Sequence, residues 1–286
     1  MSLTFDAHIH MVLDGADFRK AIDRHRPMPD DAAIRLCLAE YRRRGVTYLR
    51  DGGDAWGVSL RARALAEEYG ICYRSPAFPI YKKGHYGAFI GRGFSEFDEY
   101  RALLDEAQAA ACDFVKLMLS GLIDFSRPDT LTERGLTAEE IAPLIDEAHA
   151  RGLAVMVHAN GDVPVTAALE AGAESIEHGA FLSEATLCRL AESETVWVPT
   201  LSTIGNLIGC GRYPDSVLRP LLRRQQEKVC FAAQRGATIA QGSDAGAFRV
   251  LHGQAVADEY ALLRQALGAQ TDGILAAGEA AIRRAF

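Results

Sequence analysis

Short apolar runs alternate with longer amphipathic ones along the chain, and nearly every apolar run ends in a polar or glycine-rich cluster. That alternation marks repeated βα units. The apolar runs predict strands at residues 3–10, 47–51, 71–77, 114–119, 154–158, 175–178, 196–200 and 238–241. Helical periodicity predicts helices at about 31–44, 60–69, 96–111, 138–151, 163–171, 184–192, 214–235 and 254–266. Several stop at a glycine, as in Arg151-Gly152, where a residue at ease in left-handed conformation turns the chain toward the next strand. Eight strands alternating with eight helices predict an α/β fold of the (β/α)8 TIM-barrel type. An open doubly wound sheet is the other architecture with this alternation. No linker rich in Ser, Pro or Gly divides the chain, so residues 1–286 are read as a single domain. The long loops 81–94 and 120–136 follow strands and are expected over the C-terminal mouth, where such barrels carry their chemistry.

Composition narrows the function classes. With 286 residues, 49% hydrophobic and 24% charged, the chain can bury a full core. Lys+Arg 31 against Asp+Glu 38 leaves a net charge of −7, and neither terminus carries a basic run, which argues against a nucleic-acid partner. The six cysteines, Cys37, Cys72, Cys112, Cys188, Cys210 and Cys230, lie far apart without a CxxC pair, as thiols do in a reducing compartment. Asp6, His8 and His10 interrupt any apolar N-terminal stretch, and no run approaches the roughly 18 apolar residues of a membrane span. A cytoplasmic protein without a membrane partner is expected, and Met1-Ser2-Leu3 carries no functional weight.

The ionisable residues change the picture most. His8 and His10 are two apart at the end of the first strand, so their side chains share a face and suit chelation of one ion. His158 ends the fifth strand, His178 ends the sixth and Asp244 follows the eighth. Four imidazoles and a carboxylate at one mouth suit zinc and related divalent ions. Lys116 stands in the fourth strand, where its ammonium would be poorly solvated beside cations. Two states resolve this: pairing with a nearby carboxylate, or reaction of the neutral amine with carbon dioxide to a carbamate that bridges two metals.

The strings Phe5-Asp-Ala-His-Ile-His10, Asp113-Phe-Val-Lys116, Val155-Met-Val-His-Ala-Asn-Gly161, Ser175-Ile-Glu-His-Gly-Ala-Phe181 and Gly242-Ser-Asp-Ala-Gly246 resemble the amidohydrolase superfamily. The nearest branch holds imidazolonepropionase-like enzymes and metal-dependent prolidases that cleave Xaa-Pro and Xaa-Arg dipeptides. The resemblance runs from residue 5 to about 285 and implies a binuclear metal centre, with zinc the expected metal. Carried over, His8, His10 and Asp244 hold the more buried ion, His158 and His178 the more exposed one, and a carboxylated Lys116 both. Asp244 is then the catalytic acid and base for a metal-bridged hydroxide that cleaves an amide C–N bond, in a dipeptide or an N-acyl amino acid. A mononuclear deaminase or a cyclic-amide or lactone hydrolase is the alternative. Deaminases of the superfamily often carry HxxE, whereas this chain reads His158-Ala-Asn-Gly-Asp162. A barrel that has lost catalysis and serves as a scaffold would show a broken ligand set, and all six residues are present.

Two departures accompany the resemblance. Only seven residues precede His8, so the small accessory β-sandwich of relatives is expected to be absent or vestigial. Ser120-Gly121-Leu122-Ile123 replaces a frequent diglycine, which suggests a different substrate. His85 resembles a glycine-histidine loop of the branch. With Tyr86 it is expected to offer a donor pair, and Arg92 a cation, to an anionic group of a small-molecule substrate. A homo-oligomer is expected. Asp51 is read as a turn cap, with a hold on a ligand histidine as the other option, and His25 and His149 as solvated. His252 is weighed as a pocket residue, and Glu177 is expected to point away from His178 toward the helix layer.

Overall fold

The computed structural model describes residues 4–286; Leu3 of the first predicted strand, with Met1 and Ser2, lies outside the described residues. The strands are β1 (Phe5–Ile9), β2 (Tyr48–Asp51), β3 (Cys72–Arg74), β4 (Pro79–Lys82), β5 (Arg92–Phe94), β6 (Val115–Met118), β7 (Val155–Ala159), β8 (Ser175–His178) and β9 (Val196–Val198). All their pairings are parallel. They make two sheets, in the orders β1-β2-β3 and β5-β4-β6-β7-β8-β9. This is the α/β fold with parallel strands that the alternation predicts.

The ladder is not continuous around the ring. One seam lies within the predicted third strand, whose first half, β3, pairs with β2 while its second half, β4, pairs with β6. Between them Ala77 takes φ 66, so the chain changes partner at a break in the strand. The other seam is the predicted eighth strand, 238–241, reduced to a single bridge of Ile239 with Trp197, with a second bridge, Ile9 with Ala245, just beyond it. Its backbone still bonds to both sides: Ala240 N–H donates to Trp197 O at 2.9 Å and Ala7 N–H to Gln241 O at 3.0 Å. This run therefore lies between β9 and β1 without a full ladder.

The eight predicted helices occur close to their expected bounds, and the clearest of them combine a capped start with an apolar stripe. In Asp31–Arg43 the Asp30 carboxylate accepts from the amides of Ala32 and Ala33, and Ile34, Leu38 and Tyr41 are buried one turn apart. Thr137 and Glu140 form a capping box ahead of Ala138–Ala150, which buries Ile141, Leu144, Ile145 and Ala148. Three further helices lie outside the predicted set: Phe18–Arg24 and Ser202–Gly205, too short to show periodicity, and Thr271–Ala285, which buries Thr271, Leu275, Gly278 and Ile282 on one face. The last packs its backbone on the eighth run: a Cβ at Gly278 would stand 2.0 Å from Ile239 O. Its end carries Ile282 and Phe286 into a core with Phe5, Tyr48, Phe114 and Met156, at the strand starts and away from the mouth.

Among the described residues there is no β-sandwich, and no helix is long and apolar enough to cross a membrane. All six cysteines are free. The segment 81–94 is less of a loop than its glycines suggest, because β5 pairs with β4 and draws Arg92 opposite Ile80.

Candidate metal centre

β1 alternates His8 and His10 onto one face, and their Nε2 atoms lie 3.3 Å apart. Oδ1 of Asp244 stands 3.2 Å from His10 Nε2 and 3.6 Å from His8 Nε2. Ligand atoms arranged tetrahedrally about zinc at roughly 2.0–2.1 Å are about 3.4 Å from one another, so this triangle fits one ion without rearrangement. Asp244 reaches it through a left-handed backbone, φ 58, held by its own N–H donating to His8 O at 2.7 Å. Beneath, Asp6 accepts from the amide and hydroxyl of Ser243 at 2.8 and 2.6 Å and anchors the turn.

The other two imidazoles close on this group. The ring centroids of His158 and His178 are 4.5 Å apart, and those of His8 and His178 5.2 Å. Nδ1 of His178 is 2.7 Å from Thr200 Oγ1, and Nε2 of His158 is 3.3 Å from Gly121 O. Each ring keeps one nitrogen for a ligand. Burial lowers the pKa of His8 to about 4 and of His158 to about 3, with Lys116 adding to both, and holds His178 well below the usual histidine range. Neutral imidazoles are the form that binds metal. Burial pushes Asp244 upward, but His8, His10 and Lys116 outweigh it and keep the carboxylate below its ordinary value.

Lys116 is 1% exposed, and its Nζ has no hydrogen-bond partner among the described residues. Burial lowers its pKa to about 8. The simple carboxylate pairing is therefore not the state seen, and an orphaned amine beside four imidazoles is a site shaped for a further group.

Glu177 departs from the expected orientation. It is fully buried, with Oε2 2.7 Å from His8 Nδ1 and Oε1 2.8 Å from the Arg50 guanidinium. The reason is His178 at φ 70, which breaks the strand alternation and lets both residues reach the interior. The carbonyl of His178 accepts from Trp197 Nε1–H at 3.1 Å and from Gln225 at 3.2 Å, which holds that strained turn. Burial raises the Glu177 carboxyl, yet Arg50 and His8 dominate and bring it to about 2. Arg50, Trp197 and Asn160 had no signal beyond their positions in or beside strands, and Gln225 none beyond its place inside helix Asp215–Gln234. Asn160 ties the mouth together, donating to Gly121 O at 3.0 Å and accepting from Ala180 N at 2.9 Å.

Above the ligands opens a cavity of about 900 Å³ with largely aromatic and aliphatic walls. Tyr86 lines it, its ring centroid 5.1 Å from that of His158. His85 does not; its Nδ1 lies 3.7 Å from Glu133. Arg92 is also elsewhere, paired with Glu106 and stacked 4.2 Å over Phe78, because β5 carries it toward the helix layer. His252 is likewise outside the cavity, its ring nitrogens taken by Tyr41 Oη at 3.0 Å and Leu13 O at 2.8 Å. Asp51 caps the turn at Gly53 (2.6 Å) and accepts from Met11 N at 3.0 Å. His25 is buried rather than solvated, accepting from Asp30 N at 3.0 Å, and His149 is half-exposed beside Glu174 at 3.1 Å.

Parallel βα units with four histidines and an aspartate gathered at the carboxyl ends of the strands define an α/β protein with a candidate metal site. The chain belongs to the amidohydrolase family, whose sequence model matches residues 4–279. It is 36% identical to an uncharacterized protein of Mycobacterium tuberculosis over 42% of this chain and 34% of that one. It is 28% identical to the imidazolonepropionase of Mycolicibacterium smegmatis over 73% of this chain and 55% of the relative. The chain thus spans about a third to a half of the length of these curated relatives. A crystal structure of a Xaa-Pro dipeptidase with bound methionine superposes with a TM-score of 0.75 at 20% identity, covering 97% of this chain and 74% of that one.

Proposed function

We propose that the chain is a metal-dependent hydrolase that cleaves an amide C–N bond in a dipeptide or N-acyl amino acid. The observation that carries this reading is the triangle of His8 Nε2, His10 Nε2 and Asp244 Oδ1, with edges of 3.2–3.6 Å, beside the unpartnered Lys116 Nζ. His8, His10 and Asp244 would hold one divalent ion, zinc by the chemistry of the donor set, and His158 and His178 a second. Such ions, when bound, acidify water and polarise a carbonyl.

As a carbamate, Lys116 would offer an anionic oxygen to either site. Its neutral amine adds to carbon dioxide, a C–N bond forms and one proton leaves, so an orphaned neutral amine becomes an anionic group with two oxygens. The lowered pKa supplies the neutral amine near pH 8. Asp244, held ionised, takes the proton from the attacking water and returns it to the leaving nitrogen, general base and acid work by one carboxylate. Glu177 keeps His8 oriented, and Thr200 keeps His178.

The similarity to imidazolonepropionase and the compact three-atom triangle favour a second reading, a mononuclear cyclic-amide hydrolase. A hydrolysis screen of zinc-loaded protein against dipeptide, N-acyl amino acid and cyclic-amide libraries decides between them. Turnover of open-chain amides is expected; turnover confined to cyclic amides would establish the second reading, and none at all would overturn both.

A further inference from the structure

Two aromatic ridges flank the cavity. Phe18 meets Phe89 edge-on and Phe89 meets Tyr86 at a tilt, with centroids 6.0 and 5.5 Å apart, and the row leads to His158. On the other wall Phe125 and Tyr213 are 5.4 Å apart, and the Arg212 guanidinium lies 4.6 Å over Phe248 and 5.4 Å over Tyr213. All of these residues line the cavity. The lining carboxylates away from the ligand group are already engaged. Asp17 accepts from the amides of Arg19 and Lys20, and Asp124 accepts from Ser126 N at 2.9 Å and pairs with Arg127. Arg212, by contrast, forms no ion pair among the described residues.

The exposed Arg212 guanidinium, over two rings and without an ion-pair partner, has N–H groups to offer an anion, and a guanidinium can bind a carboxylate in two-pronged fashion. Because cation and rings share one wall, they address one arm of a ligand. A cavity of about 900 Å³ stands at the upper end of the roughly 300–1,000 Å³ that small-molecule sites span, more than a small dipeptide fills. We infer that Arg212, Tyr213 and Phe248 form a subsite for an arm bearing both a free carboxylate and an aromatic ring, so that the substrates are N-acylated aromatic amino acids. The inference rests on the hydrolase reading and moves the anion contact from the 81–94 segment to the segment before helix Asp215–Gln234.

Calorimetric titration of the metal-loaded chain with N-acetyl-L-phenylalanine, N-acetyl-L-phenylalaninamide and N-acetylglycine tests it. The aromatic acid is expected to bind about tenfold or more tighter than either other compound, as a charge-assisted contact implies. Arg212→Gln should cut the acid-over-amide preference below about threefold. Phe248→Leu should cut the aromatic-over-glycine preference, with thermal melting checking that both variants fold. A preference that survives Arg212→Gln overturns the subsite, and so does one erased by Arg19→Gln or by chelation of the metals. An intact acid preference in a protein that hydrolyses no amide would sink the hydrolase reading while leaving the subsite standing. Equal kcat/KM on acids and their amides would do the reverse.

Discussion

Oε2 of Glu177 stands 2.7 Å from Nδ1 of His8, while the other oxygen of the same carboxylate stands 2.8 Å from Arg50. One buried anion thus fixes which imidazole nitrogen carries the proton and leaves His8 Nε2 with its lone pair toward Asp244. Glu177→Gln is expected to weaken metal binding about 10–100-fold, measured by competition with a chromophoric chelator. It should also cost about 3 kcal/mol or more of stability, because Arg50 would be left buried without a counter-charge. Unchanged metal affinity with lowered stability would make Glu177 a support for Arg50 alone.

Asp244→Asn is expected to abolish turnover while most of the metal stays bound, since an amide oxygen still coordinates but cannot shuttle a proton. Activity within about tenfold of wild type, on protein of verified metal content, would remove Asp244 from acid-base work.

Lys116→Ala should hold about one metal ion per chain where wild type holds two, because the anionic oxygens for the second site are lost. Plasma emission after exhaustive dialysis counts them, and added acetate should restore part of the second equivalent. Two ions in the variant would show that the histidines suffice without a carbamate.

His25 gives a pH test away from the metal centre. Its Nδ1 accepts from Asp30 N, which can only donate, so protonation of that nitrogen breaks the bond. Burial sets its folded pKa below the ordinary value, with Arg24 adding to this and Asp30 opposing. The folded state therefore binds fewer protons than the unfolded one, and the contribution is full above about pH 6.5 and lost as pH falls through the folded value. Relative to His25→Asn, which keeps an acceptor and does not titrate, wild type should lose about 1 kcal/mol between pH 8 and pH 5 in urea denaturation. Parallel curves for the two proteins would dismiss the coupling.

What could be read from the residues alone was whatever strand alternation controls. His8, His10 and His158 stand at strand ends whose phase the apolar runs disclose. Glu177 was misread because the alternation fails at His178, and a positive φ at a histidine leaves no mark in a hydrophobic pattern. Arg92 was misread for a different reason: its glycine-rich neighbourhood resembles a loop, while the backbone pairing that pulls 92–94 onto β4 is non-local. Arg212, proposed as the anion contact, stands in a segment with no periodicity, and only the fold brings it over Phe248. Helix Thr271–Ala285 is legible as an amphipathic stripe, but it follows the eighth βα unit and so adds nothing to the strand–helix alternation that the fold prediction counts.

His178, Thr200 and Asp244 hold left-handed backbone at φ 70, 49 and 58, each at a cost on the order of 1–3 kcal/mol that glycine would relieve. Selection for heat tolerance and selection for turnover should therefore pull these three positions in opposite directions. A library screened only for survival at high temperature would accumulate glycine there and yield well-folded, inert proteins. The same positions screened for turnover would refuse glycine, and the contrast between the two outcomes would map the mouth without any ligand.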